Sequence, residues 1–140
     1  VNIPFPSYYD LMEVTDLEGK TRRLTLIGYT KTAAKSSLHL QCRSLLQELY
    51  PTCSVIEELL IPINSKTNLY LDFFIPLFRI AVEVQGPQHY EKSSFFHKDI
   101  FAFAKQKQND MSKQEFCTIN NIELIKLKYD ESDKWRDLLT

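Results

Sequence analysis

Apolar residues recur at helical spacing in two long stretches of this chain, and between those stretches they gather into shorter strand-like runs. From about Ser36 to Tyr50, Leu38, Cys42, Leu45, Leu46 and Leu49 fall on one helical face. Ser36 or Ser37 supplies a cap and Pro51 a stop. From about Phe95 to Asn120 a second stripe runs through Phe96, Ile100, Phe103, Ala104, Met111, Phe116 and Cys117, and Asn120-Asn121 ends it. Between them, Cys53 to Ile61, Asn68 to Ile75 and Phe78 to Gln85 are rich in β-branched, aromatic and other apolar residues. They are bounded by Pro62-Ile-Asn-Ser, by Pro76 and by Gly86-Pro87. Ile122 to Leu127 predicts another strand, Arg23 to Tyr29 a short one, and Ser132 to Leu139 a short helix with the only tryptophan, Trp135. The first 20 residues, with Pro4, Pro6 and Gly19, predict no regular element. The order helix, three strands, helix, strand, helix is that of an α/β domain with one mixed sheet flanked by helices.

Composition narrows this picture slightly. With 140 residues, 44% hydrophobic and 25% charged, the chain can bury one core and reads as a single domain, 1–140, with its core over 36–129. No apolar run approaches the ~20 residues of a membrane span, and no signal peptide is legible. Cys42, Cys53 and Cys117 are odd in number and form no CxxC pair. That argues against a disulfide framework or a cysteine-rich zinc site and for a reducing, intracellular setting. The chain begins at Val1, which leaves room for an initiator Met or a longer N-terminal region.

Charge adds one asymmetry. The net charge of −1 hides a stretch from Gly19 to Gln47 with Lys20, Arg22, Arg23, Lys31, Lys35 and Arg43 and no acid. Such a stretch can follow a phosphate backbone, or it is a solvated basic surface.

The run Ala81-Val-Glu-Val-Gln-Gly-Pro-Gln-His-Tyr90 carries the chemistry. Period-two alternation puts Ala81, Glu83 and Gln85 on one face of a strand, and Ile80, Val82 and Val84 on the other. A tight connection at Pro76-Leu77 makes the preceding strand its antiparallel neighbour. Asp72 is then opposite Ala81 or Val82, with Glu83 near or diagonal. Two carboxylates in apolar company repel unless a cation lies between them. A hard divalent ion resolves this, and so does an ion pair with Arg79 or Lys126.

Asp72, ten residues, then Glu83-Val-Gln85 resembles the PD-(D/E)xK nuclease pattern. Gly86-Pro-Gln-His-Tyr90, Gln106-Lys-Gln-Asn-Asp-Met-Ser-Lys113, Phe116-Cys117 and Asn120 to Tyr129 extend the likeness to phage and intron-type endonucleases related to very-short-patch-repair nucleases. The match runs from about Leu38 to Tyr129, and it implies a restriction-endonuclease-like fold. It also implies that Asp72 and Glu83 bind Mg²⁺ (or Mn²⁺), with the Val84 carbonyl and His39 on the first helix as further metal contacts. Gln85 stands where many members carry lysine, and an amide can only hydrogen-bond. The resemblance leaves it to orient the attacking water, and Lys105, Lys107 or Lys113 to replace the missing cation. Asn109 stands where the family often has arginine.

The activity implied is hydrolysis of a DNA phosphodiester, with the basic stretch, His89 and the long helix holding the backbone, and a homodimer or an additional domain extending the surface. As residues alone, His39 reads as an exposed or core-edge histidine, His89 as one packed near Tyr90, and Phe95, Phe96, Phe101 and Phe103 as helix core, with base stacking by one of them the alternative. A second resemblance competes. The turn Glu83-Val-Gln-Gly-Pro-Gln-His89 is similar to that of RAP-type domains, which implies a module that binds RNA or DNA without cutting it.

Overall fold

The computed structural model describes residues 11–26, 36–87 and 100–140. The first helical stripe folds as α1 (Ser37–Leu49), opened by the Ser36 hydroxyl, which accepts a hydrogen bond from the His39 backbone N–H. Its buried face carries His39, Cys42 and Leu46. Three strands follow: β3 (Ile56–Asn64), β4 (Thr67–Ile75) and β5 (Ile80–Gln85). They form an antiparallel meander, since the connections between them are too short for a crossover. A single 3₁₀ turn, Pro76–Phe78, joins β4 to β5 and ends at Arg79 in the left-handed region (φ 52°). The longer connection contains α2 (Ile100–Ile119) and returns the chain to β6 (Glu123–Lys128), which pairs parallel to β5. The sheet order is β3-β4-β5-β6, and α3 (Trp135–Leu139) closes the chain.

The two faces of this sheet bury separate clusters. Cys42 and Leu46 of α1 and Trp135 and Leu139 of α3 pack on Phe73, Ile75, Val82 and Leu127. Phe116 and Cys117 of α2 pack on Leu59, Ile61, Leu71 and Ala81. All three cysteines are free, and burial pushes the Cys42 and Cys117 thiols up, Cys117 to about 12. No helix among the described residues is long and apolar enough to cross a membrane.

The structure departs from the sequence expectation at the N-terminal end. Leu11–Thr15 (β1) and Thr21–Thr25 (β2) form a separate two-stranded antiparallel sheet, where no strand was expected before Arg23. Its turn is built by Asp16, whose Oδ1 accepts from the Glu18 and Lys20 backbone N–H groups, and Gly19 supplies the positive φ of 80°. Val14 and Leu24 seat this hairpin on the α2 side of the core. The expected strand over 23–29 therefore starts earlier, and residues 27–35 lie outside the described residues. The long helix predicted from Phe95 is described from Ile100.

β3 and β4 also break alternation at one shared level. Leu71 packs on the α2 side, whereas Phe73 and Ile75, of the same parity, pack under α1. On β3, Leu59 and Ile61 face α2, while Glu57 turns towards α1. The switch falls at Glu58 (φ 54°) and Asp72, between the register pairs Glu57–Phe73 and Leu59–Leu71. A non-glycine residue in the left-handed region costs about 1–2 kcal/mol.

Candidate functional site

Asp72 lies at that switch. Phe74 pairs with Ala81 and Phe73 with Val82, so the next step of the antiparallel ladder sets Asp72 level with Glu83. This corrects the expected register, which put Asp72 opposite Ala81 or Val82; the 3₁₀ turn takes up residues that a strand reading assigned to β5. At this level side chains continue the ladder. The Asp72 backbone N–H donates to Glu83 Oε2 at 2.7 Å, and the Val84 N–H donates to Asp72 Oδ2 at 2.9 Å. Each carboxylate thus receives a hydrogen bond from the backbone of the opposite strand, which fixes the two acids side by side.

The cation comes from α2. Phe116 and Cys117 anchor that helix to the sheet, and Lys113, three and four residues earlier, lies on the same helical face. Its Nζ lies 2.6 Å from Glu83 Oε1. Neither ion-pair partner expected from sequence is used. Arg79 donates to the Asn120 and Asn121 carbonyls at the end of α2, and Lys126, level with Glu83 on β6, is exposed. Burial and the Asp72 charge push the Glu83 carboxyl up to about 7, against the opposing pull of Lys113. Two acids thus share one ammonium.

The pair opens on a groove of about 320 Å³ lined by Asn68, Tyr70, Asp72, Glu83, Asn109 and Lys113. Asp72 Oδ1 takes no hydrogen bond from the described residues, while Glu83 spends one oxygen on Lys113 and the other on the Asp72 N–H. This donor set of two hard carboxylates, with Val84 beside them, fits a Mg²⁺-class ion that keeps most of its water. No group of three His, Cys, Asp or Glu that could hold a metal occurs among the described residues, so His39 does not join the two acids in a compact ligand set. Gln85 is buried two residues beyond Glu83 on the same face of β5.

His39 sits instead in a second buried polar assembly. Its Nε2 is 2.8 Å from Glu57 Oε1, and Arg43 holds both Glu57 oxygens through Nε and Nη2, each at 2.8 Å. The ring stacks on Phe73 with centroids 4.5 Å apart. A groove of about 280 Å³ runs past it, lined by Ser36, Leu38, His39, Asp72, Val84 and Gly86. The two grooves share Asp72 and Val84. Glu57 was missed from the sequence, and its only signal was an acid interrupting a buried strand, the same signal that exposed Glu83.

The remaining expected residues disperse. Lys20 and Arg23 are exposed on the hairpin, but Arg22 is paired with Asp16 at 2.9 Å, and Arg43 is committed to Glu57. On α2, Lys105 is exposed and Lys107 lies over the Phe103 ring at 5.4 Å. Lys31, Lys35 and His89 lie outside the described residues, as do Phe95 and Phe96.

Set against known proteins, the chain is similar to three viral ones. It is 37% identical over 70 residues to uncharacterized protein 307L of Invertebrate iridescent virus 6, a match covering 50% of this chain and 36% of that protein. Uncharacterized protein 033L of Invertebrate iridescent virus 3 is 37% identical over 62 residues, 44% of this chain and 32% of the relative. Uncharacterized protein 094L of Frog virus 3 (isolate Goorha) is 38% identical over 77 residues, 51% and 48% respectively. The matched stretch thus spans between about a third and a half of these relatives' length. No family model and no solved structure matches the chain.

Proposed function

We propose that this chain is a metal-dependent nuclease of the PD-(D/E)xK kind that hydrolyses DNA phosphodiester bonds. The observation that carries the reading is the contact of Lys113 with Glu83 beside Asp72. It restores two acids and one cation at one point, with the cation arriving from a helix instead of from position 85. Asp72 and Glu83 hold a Mg²⁺ or Mn²⁺ ion, and the Val84 carbonyl is a further contact. When bound, such an ion polarises a phosphoryl oxygen and lowers the pKa of its water. Lys113 balances charge on the phosphate in flight. Gln85, two residues beyond Glu83 on the same face of β5 and equally buried, orients the attacking water.

The test is Mg²⁺- or Mn²⁺-dependent cleavage of supercoiled DNA, single-stranded DNA and RNA by the wild type and by Asp72→Asn and Lys113→Met. Cutting of DNA, lost in Asp72→Asn and reduced about 100-fold or more in Lys113→Met, supports the reading. Full activity in Asp72→Asn sinks it.

A second reading, a module that binds DNA or RNA without cutting, is favoured by one feature. Lys113 already neutralises part of the acid pair without any ion. Tight nucleic-acid binding with no cleavage in any metal, by wild type and Asp72→Asn alike, identifies that case.

A further inference from the structure

Glu57, Arg43 and His39 form a buried assembly that the nuclease reading leaves unused. Arg43 alone satisfies Glu57, holding it through two hydrogen bonds. The third member is therefore not needed for pairing. Its ring is also fixed in plane by Phe73 and at its backbone by Ser36.

We infer that His39 is the proton acceptor of the same site, taking a proton from the attacking water through Nδ1 while Glu57 and Arg43 position it. This rests on the nuclease reading. Burial works to raise the Glu57 carboxyl, but the bonds from Arg43 and His39 outweigh it and hold the group below its ordinary value. Glu57 is thus an anion, and an ionised carboxylate only accepts hydrogen bonds. In a neutral ring the proton then sits on Nε2, facing Glu57, which leaves a lone pair on Nδ1. That edge takes no hydrogen bond from the described residues, and the ring lines a groove that Asp72 and Val84 also line.

Lys113 and His39 therefore line the two grooves that share Asp72 and Val84, one supplying charge balance and the other a proton acceptor. In the step, a water O–H breaks and its proton moves to Nδ1. The water oxygen bonds to phosphorus, the bond to the leaving sugar oxygen breaks, and that oxygen takes a proton from solvent. The imidazolium so formed donates to Glu57, an arrangement in which a buried carboxylate stabilises the charge. The charged and titratable groups around the ring among the described residues are Glu57 of β3, Arg43 and Cys42 of α1, and Asp72 of β4; β5 presents Val84.

The experiment compares wild type, His39→Gln and Glu57→Gln in the Mn²⁺-dependent cleavage of supercoiled DNA across pH, with Mn²⁺ affinity measured separately. His39→Gln is expected to lower kcat at least about 100-fold, to lose the acid limb of the pH profile and to leave Mn²⁺ affinity unchanged. Glu57→Gln should lower kcat less and shift that limb. Nitrogen-15 spectra of wild-type histidines should show one neutral ring protonated on Nε2. An unaltered acid limb in His39→Gln, or a parallel fall in Mn²⁺ affinity that makes His39 a ligand, overturns the inference while the nuclease reading stands. So does a His39 ring protonated on Nδ1, even where the variant fails to fold. A wild type that cuts nothing overturns both.

Discussion

Glu83 is a carboxyl under opposed pressures, and its titration is a stability statement. Burial and Asp72 push it up to about 7, from an ordinary value of 4.5 in the unfolded chain. Between those two values the folded protein holds a proton that the unfolded chain has released. Its contribution to stability is therefore complete below about pH 4.5 and lost as pH rises through about 7. In metal-free protein, melting temperature across this window should fall with pH, and in Glu83→Gln the slope should flatten. Thermal melts by circular dichroism at several pH values check this; an equal slope in both proteins removes the acid pair as its cause. The same residues show what a sequence can disclose. Glu83 and Asp72 were legible because acids inside apolar strands demand an explanation. Lys113 was one of three lysines on the long helix, and only the seating of Phe116 and Cys117 selects it. The pairing of His39 with Glu57 was not legible, since 18 residues and a change of strand face separate them.

Among elements, the end of α2 is the joint that places the site. Ile122 N–H donates to the Cys117 carbonyl and Asn121 N–H to that of Thr118, with Asn121 at φ 56°, the Schellman closure expected of Asn120-Asn121. Asn120 then reaches the hairpin that the sequence did not reveal. Its Oδ1 accepts from the Thr15 N–H, and its Nδ2 donates to the Thr15 and Phe116 carbonyls. Asn120→Ala leaves buried backbone groups of β1 and α2 without partners, and should cost roughly 2–3 kcal/mol in urea unfolding. A loss under about 0.5 kcal/mol would mean that water replaces the amide at no cost. The hairpin escaped the sequence reading for a physical reason. Its five-residue strands each bury one side chain, Val14 and Leu24, and so carry little alternation, while Asp16 holds the turn by bonds to backbone. The four-stranded sheet was legible because its strands are longer and bury more than one apolar side chain each in β3, β4 and β5.

Over the whole molecule, the basic stretch divides into cations with different tasks, and this bears on the proposed binding of nucleic acid. Arg22 is spent on Asp16, whose carboxyl its neighbours hold below the usual range: the Lys20 N–H first, with Arg22 and the Glu18 N–H adding to it against the cost of burial. Arg43 is spent on Glu57. Neither can give its full charge to a phosphate without abandoning an acid. Lys20 and Arg23 on the hairpin and Lys105 on α2 are exposed and take part in none of the ion pairs of the described residues. The groove at Asp72 is lined by three acids, Asp72, Glu83 and Asp110, and one lysine, so its lining offers a polyanion no excess of positive charge. If the protein holds nucleic acid as proposed, exposed cations such as Lys20, Arg23 and Lys105 are the ones free to meet the backbone, and each phosphate contact would release about one counterion. Removing Lys105 as Lys105→Gln should reduce the slope of log K against log salt by about 1, with fold stability unchanged. Arg22→Gln should leave that slope intact and lower stability instead, because Asp16 loses its partner. Fluorescence anisotropy with a labelled DNA duplex at several salt concentrations separates the two. Equal loss of slope from both variants would mean that Arg22 leaves Asp16 to meet phosphate, and that the hairpin itself rearranges on binding.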